Sequence, residues 1–147
     1  MMIMRRSMEY PQLRDALRGK RVCIWTCNTC ARLCNGIGGT EACERLAGRL
    51  REDGVDVTGV VSTSAACLEK KVLDKRDDVL SGDPDVIVSM TCSVGASNAG
   101  KVFGKPIINP IITFGYGLLA EDGTPVLTSD GGNTPVGELS ERATPFL

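Results

Sequence analysis

The chain contains no histidine. That removes Ser-His-Asp and Cys-His nucleophilic machinery, mixed cysteine–histidine zinc sites and Rieske-type ligation. Aromatic residues supply 4% of the sequence, too few for a platform on which bases stack. Charge of either sign is balanced, 17 Lys and Arg against 18 Asp and Glu, net −1. A basic footprint for nucleic acid and a polybasic membrane signal are both missing. Long apolar runs are missing too. Met1 to Arg6 is a brief apolar stretch followed by two arginines, the reverse of a signal peptide, and nothing is long enough to span a bilayer. The expectation is a cytoplasmic protein with no nucleic-acid and no membrane partner.

What the chain does have is cysteine, seven in 147 residues. The length suits one compact domain, and 42% hydrophobic with 24% charged residues is ordinary for a globular one. In a cytosolic chain, so many thiols point to metal or redox work rather than structural disulfides. Without histidine, a metal would be held by thiolates, carboxylates, backbone or external ligands. The chain is organised around the run Val22-Cys23-Ile24-Trp25-Thr26-Cys27-Asn28-Thr29-Cys30-Ala31-Arg32-Leu33-Cys34. A buried strand leads into C-x2-C-x3-C, and Asn35-Gly36-Ile37-Gly38-Gly39 then leads into a helix.

Periodicity sets the rest. Residues 7–18 read as a short leading helix and 21–26 as a first strand, apolar enough to be covered on both faces. Thr40 is the expected N-cap of a helix whose buried face is Cys43, Leu46, Ala47 and Leu50, stopped at Gly54. Val55 to Val61 is a second strand, and 66–80 a helix. Val86 to Met90 is a third strand, 93–103 a small-residue helix, and Ile107-Ile108 a short fourth strand. Beyond Asn109 the pattern breaks into turns, among them Asp130-Gly131-Gly132-Asn133. The reading is α/β: a small three-layer parallel sheet of about four strands, order 2-1-3-4, with an irregular C-terminal tail. Residues 1–118 form the cysteine-rich domain, and 119–147 a tail that belongs to it or faces a partner.

In such a sheet, ligands sit beyond the carboxyl ends of the strands. Strand one ends at Cys27, strand two shortly before Cys67, and strand three just before Cys92, so five thiols converge on one edge. Cys23 and Cys43 are read as core filler. Cys27, Cys30 and Cys34 are hard to place as core and are read as metal ligands. Cys92 is the first choice for a fourth ligand. Cys67, at the start of a helix, is close behind, since a helix N-terminus stabilises a thiolate. An iron–sulfur cluster is the leading reading, a structural zinc site the second, and a Cys27–Cys30 dithiol the third. Gly36, Gly38 and Gly39 are expected to let backbone amides approach cluster sulfurs, with Asn28 and Thr29 adding hydrogen bonds. The lysines and arginines of 45–51 and 70–76 read as solvated helix faces. Asn28, Thr29, Arg32 and the stretch Ile111 to Leu119 are the expected partner-facing surface.

Gly19-Lys20-Arg21-Val22, the cysteine run and the Gly-Gly before a helix together resemble the small iron–sulfur subunit of anaerobic methylenetetrahydrofolate reductases. That domain also occurs fused behind the flavin barrel. Ala66-Cys67-Leu68-Glu69, Ser89-Met90-Thr91-Cys92-Ser93-Val94-Gly95 and Gly104-Lys105-Pro106-Ile107-Ile108-Asn109-Pro110 extend the similarity over residues 17–118. The resemblance implies a 4Fe-4S (cubane) cluster, docking on a flavin-dependent reductase subunit, and electron relay, as a non-catalytic subunit. Cys27, Cys30, Cys34, Cys67 and Cys92 match the family's cysteines. Family members continue into a second cysteine-rich segment that this chain lacks, so a shortened relative serving another one-carbon or corrinoid enzyme is also expected.

Overall fold

The computed structural model describes residues 1–128, 134–135 and 146. Its centre is a parallel sheet built from β2 (Arg21–Cys27), β3 (Asp56–Thr63), β4 (Val86–Met90) and β5 (Ile107–Ile108), in the order β3-β2-β4-β5. This is the predicted four-strand sheet and the predicted order. Residues 22–27 are all buried, as are all five residues of β4, which is what helices on both faces demand.

The connection from β2 to β3 runs through α2 (Cys30–Leu33) and α3 (Thr40–Glu52). Cys43, Leu46, Ala47 and Leu50 of α3 are buried, the stripe that the periodicity predicts. From β3 the chain turns back past β2 to β4 through α4 (Glu69–Leu73) and α5 (Arg76–Leu80), then reaches β5 through α6 (Ser93–Phe103). Because the direction of travel reverses at β2, right-handed crossovers set α3 on one face and α4–α6 on the other. Trp25 faces the second group. Fully buried, it meets Phe103 of α6 edge-on, with ring centroids 5.1 Å apart at 83°. The leading helix α1 (Tyr10–Leu17) joins α3. Tyr10 donates to Asp53 at 2.5 Å, and the Arg49 guanidinium lies 4.8 Å over the Tyr10 ring.

Three boundaries differ from expectation. The helix predicted over 66–80 is two short ones, broken where Lys75 sits at φ −105°, ψ 0° and its N–H turns back to Val72 O. The leading helix starts at Tyr10 because Glu9 precedes it as N-cap, its N–H bonded to Gln12 Oε1 at 2.8 Å. Thr40 is the first residue of α3 rather than its cap.

A second sheet was not anticipated. β1 (Met2–Arg6) pairs antiparallel with β6 (Ile111–Leu119), β6 with β7 (Pro125–Leu127), and β7 with β8 (Thr134–Pro135). The opening apolar stretch is thus a strand, with Ile3 and Met4 fully buried. The pairing Ile3↔Gly115 followed by Met4↔Thr113 leaves Phe114 as an extra residue, a β-bulge next to a glycine at φ +145°. Exposure still alternates along β6, but Thr113, Gly115 and Gly117 take the inward positions and the large apolar residues point out, which hid the strand. The predicted turn Asp130–Asn133, like most of 119–147, lies outside the described residues. Among the described residues no helix is long and apolar enough to cross a membrane.

Gly117 tests the second sheet. A Cβ there would stand 2.1 Å from Val126 O and 2.6 Å from Ile3 Cγ1. Gly117→Ala is expected to lower stability by about 1–3 kcal/mol through overpacking. Gly59→Ala, where nothing lies within 4 Å, should cost much less. Urea denaturation of the two variants checks this.

Candidate metal centre

The register fixes which strand ends are level. Cys27 pairs with Thr63, and Thr26 pairs with Ser62 on one side and Met90 on the other. Cys27 therefore closes β2 at the height where β3 gives way to Ser64 and β4 to Thr91-Cys92. Cys27 alternates with Trp25, so its side chain lies on the face that carries α6, and Cys92 is the residue that caps α6. Cys30 opens α2 and Cys34 follows it. The Ser64 carbonyl gathers the loop, accepting from the Cys27 thiol at 3.7 Å and from the Thr29 hydroxyl.

The electrostatics tie these sulfurs together. Burial pushes the Cys92 thiol up, the N–H groups of Gly95 and Val94 pull it down, and negative charge on Cys30 or Cys27 raises it again. Cys92, Cys30 and Cys27 are therefore electrostatic neighbours. Cys34 is raised by burial first, with charge on Cys30 adding to it, and as a thiol it points to Met4 O at 3.6 Å. The two cysteines read as core filler behave as such: burial pushes Cys23 up to about 11 and Cys43 up to about 12. Those thiols stay protonated.

Cys67 is exposed. It sits in the turn before α4, whose first residue is Glu69, and so not at a helix start. Its neighbour Ala66 packs on α6: Ala66 O accepts from Asn98 Nδ2 at 3.1 Å, and a Cβ at Gly95 would stand 3.0 Å from Ala66 Cβ. Among the described residues, no three cysteine, aspartate or glutamate side chains are drawn together as a single metal ion would need.

The glycine loop has a different task from the expected one. Gly36 N–H donates to Arg32 O, Gly38 N–H to Ala31 O, and Gly39 N–H to Thr26 Oγ1 at 2.8 Å. Those amides are spent inside the protein and do not face the sulfurs. Gly38 is required by packing: a Cβ would stand 2.8 Å from both Ala31 Cβ and Met90 O. Asn28 is likewise committed. Its Oδ1 accepts the Thr40 N–H at 2.9 Å, supplying the helix-end bond that Gly39 cannot make. Two contributors escaped the sequence reading. One is the pair of α6 amides on Cys92. The other is Thr26, fully buried, which donates to Met90 O at 2.8 Å while accepting from Gly39. A lone polar residue inside an apolar strand was the available signal.

No family model, curated protein or solved structure matches the chain.

Two outcomes are expected. Thr26→Val should cost about 1–3 kcal/mol, because it orphans a buried N–H, and Thr26→Ser should recover most of it; urea denaturation measures both. In brief alkylation of native, metal-free protein, mass spectrometry should find Cys67 and then Cys30 labelled, with Cys23 and Cys43 untouched until the chain unfolds.

Proposed function

We propose that this chain is an iron–sulfur electron-transfer subunit with one cubane cluster held by Cys27, Cys30, Cys34 and Cys92. One observation carries the reading: Thr26 and Met90 pair across β2 and β4, so Cys27 with its C-x2-C loop and Cys92 leave adjacent strand ends at the same height. The donor chemistry agrees, being all sulfur in a chain without histidine. A tetrahedral zinc crowds its sulfurs around one ion at about 2.3 Å each, whereas a cluster takes each cysteine on a different iron. Three thiols within eight residues, with a further one on a separate strand end, suit the cluster better. Bound there, it supplies a one-electron carrier whose potential depends on charge, hydrogen bonds and exposure.

The chain's own groups bear on each of those. The first-turn N–H groups of Val94 and Gly95 work against the burial that raises the Cys92 thiol and so favour its anionic form, although its sulfur closes no capping bond. Cys34 is fully buried, whereas Cys30 is partly open, so the group meets solvent on the Cys30 side. Exposed apolar side chains line the outer face of the second sheet, away from the Thr113 side that meets α6. Ile112, Phe114, Tyr116 and Leu118 of β6 leave 39%, 41%, 64% and 49% of their surface open, and Val94 leaves 42%. Ser93 N–H bonds to Thr113 Oγ1 at 2.9 Å, which brings the start of α6 against this strand. Such a surface suits docking on a redox partner. By the family resemblance, that partner is a flavin-dependent reductase subunit or another one-carbon or corrinoid enzyme.

A second reading, a Cys27–Cys30 dithiol, keeps one observation in its favour. Cys30 begins a helical turn directly after the strand, where the sequence suggested only a loop. Anaerobic reconstitution separates the two. The expected result is iron and sulfide bound together, with broad absorbance at about 400 nm that a reductant bleaches. Cys27→Ser, Cys30→Ser and Cys92→Ser should each lose most of the iron, while Cys43→Ser retains it. Stoichiometric zinc without iron, or full iron in Cys92→Ser, would overturn the cluster. A reversible two-electron couple in metal-free protein would install the dithiol.

A further inference from the structure

A cavity of about 420 Å³ opens beside the cysteine loop, at the carboxyl end of β3. That volume falls in the range of small-molecule sites, about 300–1,000 Å³. The cavity lies beyond the carboxyl ends of the strands, the side open α/β sheets use for ligands, at the outer strand rather than at the β2–β4 switch point. Its floor is the strand end Ser62, Thr63 and Ser64, and its far wall is Lys71, Asp74 and Lys75. The last three are spaced i, i+3, i+4, and the turn between α4 and α5 stays helical enough to hold them on one side.

Apart from Asn28, whose side chain is bonded to Thr40, the side chains facing this space are uncommitted. Among the described residues, neither lysine makes an ion pair or hydrogen bond, and no hydroxyl of Ser62, Thr63 or Ser64 is bonded. Elsewhere the same face of the fold does pair its charges, as Lys101 with Glu69 at 3.0 Å. Two like charges four residues apart repel, and Asp74 between them offsets only part of that repulsion. An anion would offset the rest. The cavity lining has no aromatic ring, so it offers nothing to a base or a flavin. Asp74 leaves the wall one positive charge in excess and gives an acceptor for a ligand hydroxyl.

We propose that this cavity binds a small hydroxylated molecule carrying one phosphate or carboxylate group. Lys71 and Lys75 take the oxyanion, Asp74 accepts from a hydroxyl, and the serine and threonine hydroxyls complete the contacts. The bound molecule lies next to Asn28, between Cys27 and Cys30 in the chain, and so at the edge of the thiol group. The inference does not rest on what the thiols hold.

The test is titration of the isotope-labelled full chain, followed by amide resonances, with glycerol 3-phosphate, glycerate and glycerol. Saturable shifts at residues 62–64 and 71–75 with one or both charged probes are expected, and the stronger probe identifies phosphate or carboxylate. Lys71→Gln/Lys75→Gln should weaken that binding about tenfold or more, while Lys70→Gln, on the same helix outside the cavity, leaves it within about twofold. Shifts with glycerol alone, equal weakening by Lys70→Gln, or no shift with either charged probe would each overturn the site. Iron content of the double variant, expected to be unchanged, keeps this result separate from the cluster.

Discussion

The Thr26 hydroxyl is the knot that ties the site. It reaches across to the last carbonyl of β4 and receives the amide of Gly39, where the glycine loop enters α3. Two strands and the loop that opens a helix therefore share one buried group. The hydroxyl donates once and accepts once, so one side chain joins all of them. Inside the core such bonds are costly to break, because water cannot replace them. The cysteine loop leaves β2 one residue later, from an anchor that cannot move without disturbing both neighbours.

From that anchor the gathering of sulfur follows by register. Parallel strands lie about 4.8 Å apart and advance together, so residues at matching heights stay matched at the ends. Cys27 and Cys92 are brought near by this alone, although 65 positions separate them in the numbering of the chain. Alternation then sorts the thiols. Cys27 shares the α6 face with Trp25, whereas Cys43 reaches the sheet from α3 on the other side. Burial would keep Cys92 a thiol. The first-turn amides of α6 work against that, and a metal would complete the shift toward thiolate.

How much of this could be read beforehand depends on the range of the interaction. The parallel sheet was legible because Val22–Trp25 and Val86–Met90 are continuous apolar runs, and α3 because its stripe has the helical period. The core role of Cys23 and Cys43 was legible for the same reason. The second sheet was not, since β1 and β6 meet across more than a hundred residues, and β6 turns Thr113, Gly115 and Gly117 inward and its large apolar residues outward. The glycine loop misled in a different way. Gly-x-Gly-Gly before a helix signals free amides, but where those amides point depends on Thr26, Ala31 and Arg32, whose positions only the folded chain fixes. Lys71 and Lys75 read as solvated because nothing in the sequence places them opposite the end of β3.

The second sheet changes what the site can do. Met4 of β1 accepts from the Cys34 thiol, and the Asn35 side chain donates to Gly123 O at 3.3 Å in the turn between β6 and β7. Asn35 itself turns in the left-handed region, at φ +53°, so the chain leaves α2 already bent toward that sheet. The cysteine loop is thus clamped between two sheets, with its back closed by strands from both ends of the described chain. Closure on that side shields Cys34 and leaves Cys30 the partly open thiol of the loop. The two flanks of the loop differ. On the β3 side Asn28 borders the lysine-walled cavity, and on the β4 side the Ser93–Thr113 bond ties the start of α6 to β6. The chain therefore holds one flank open and polar while the second sheet braces the other.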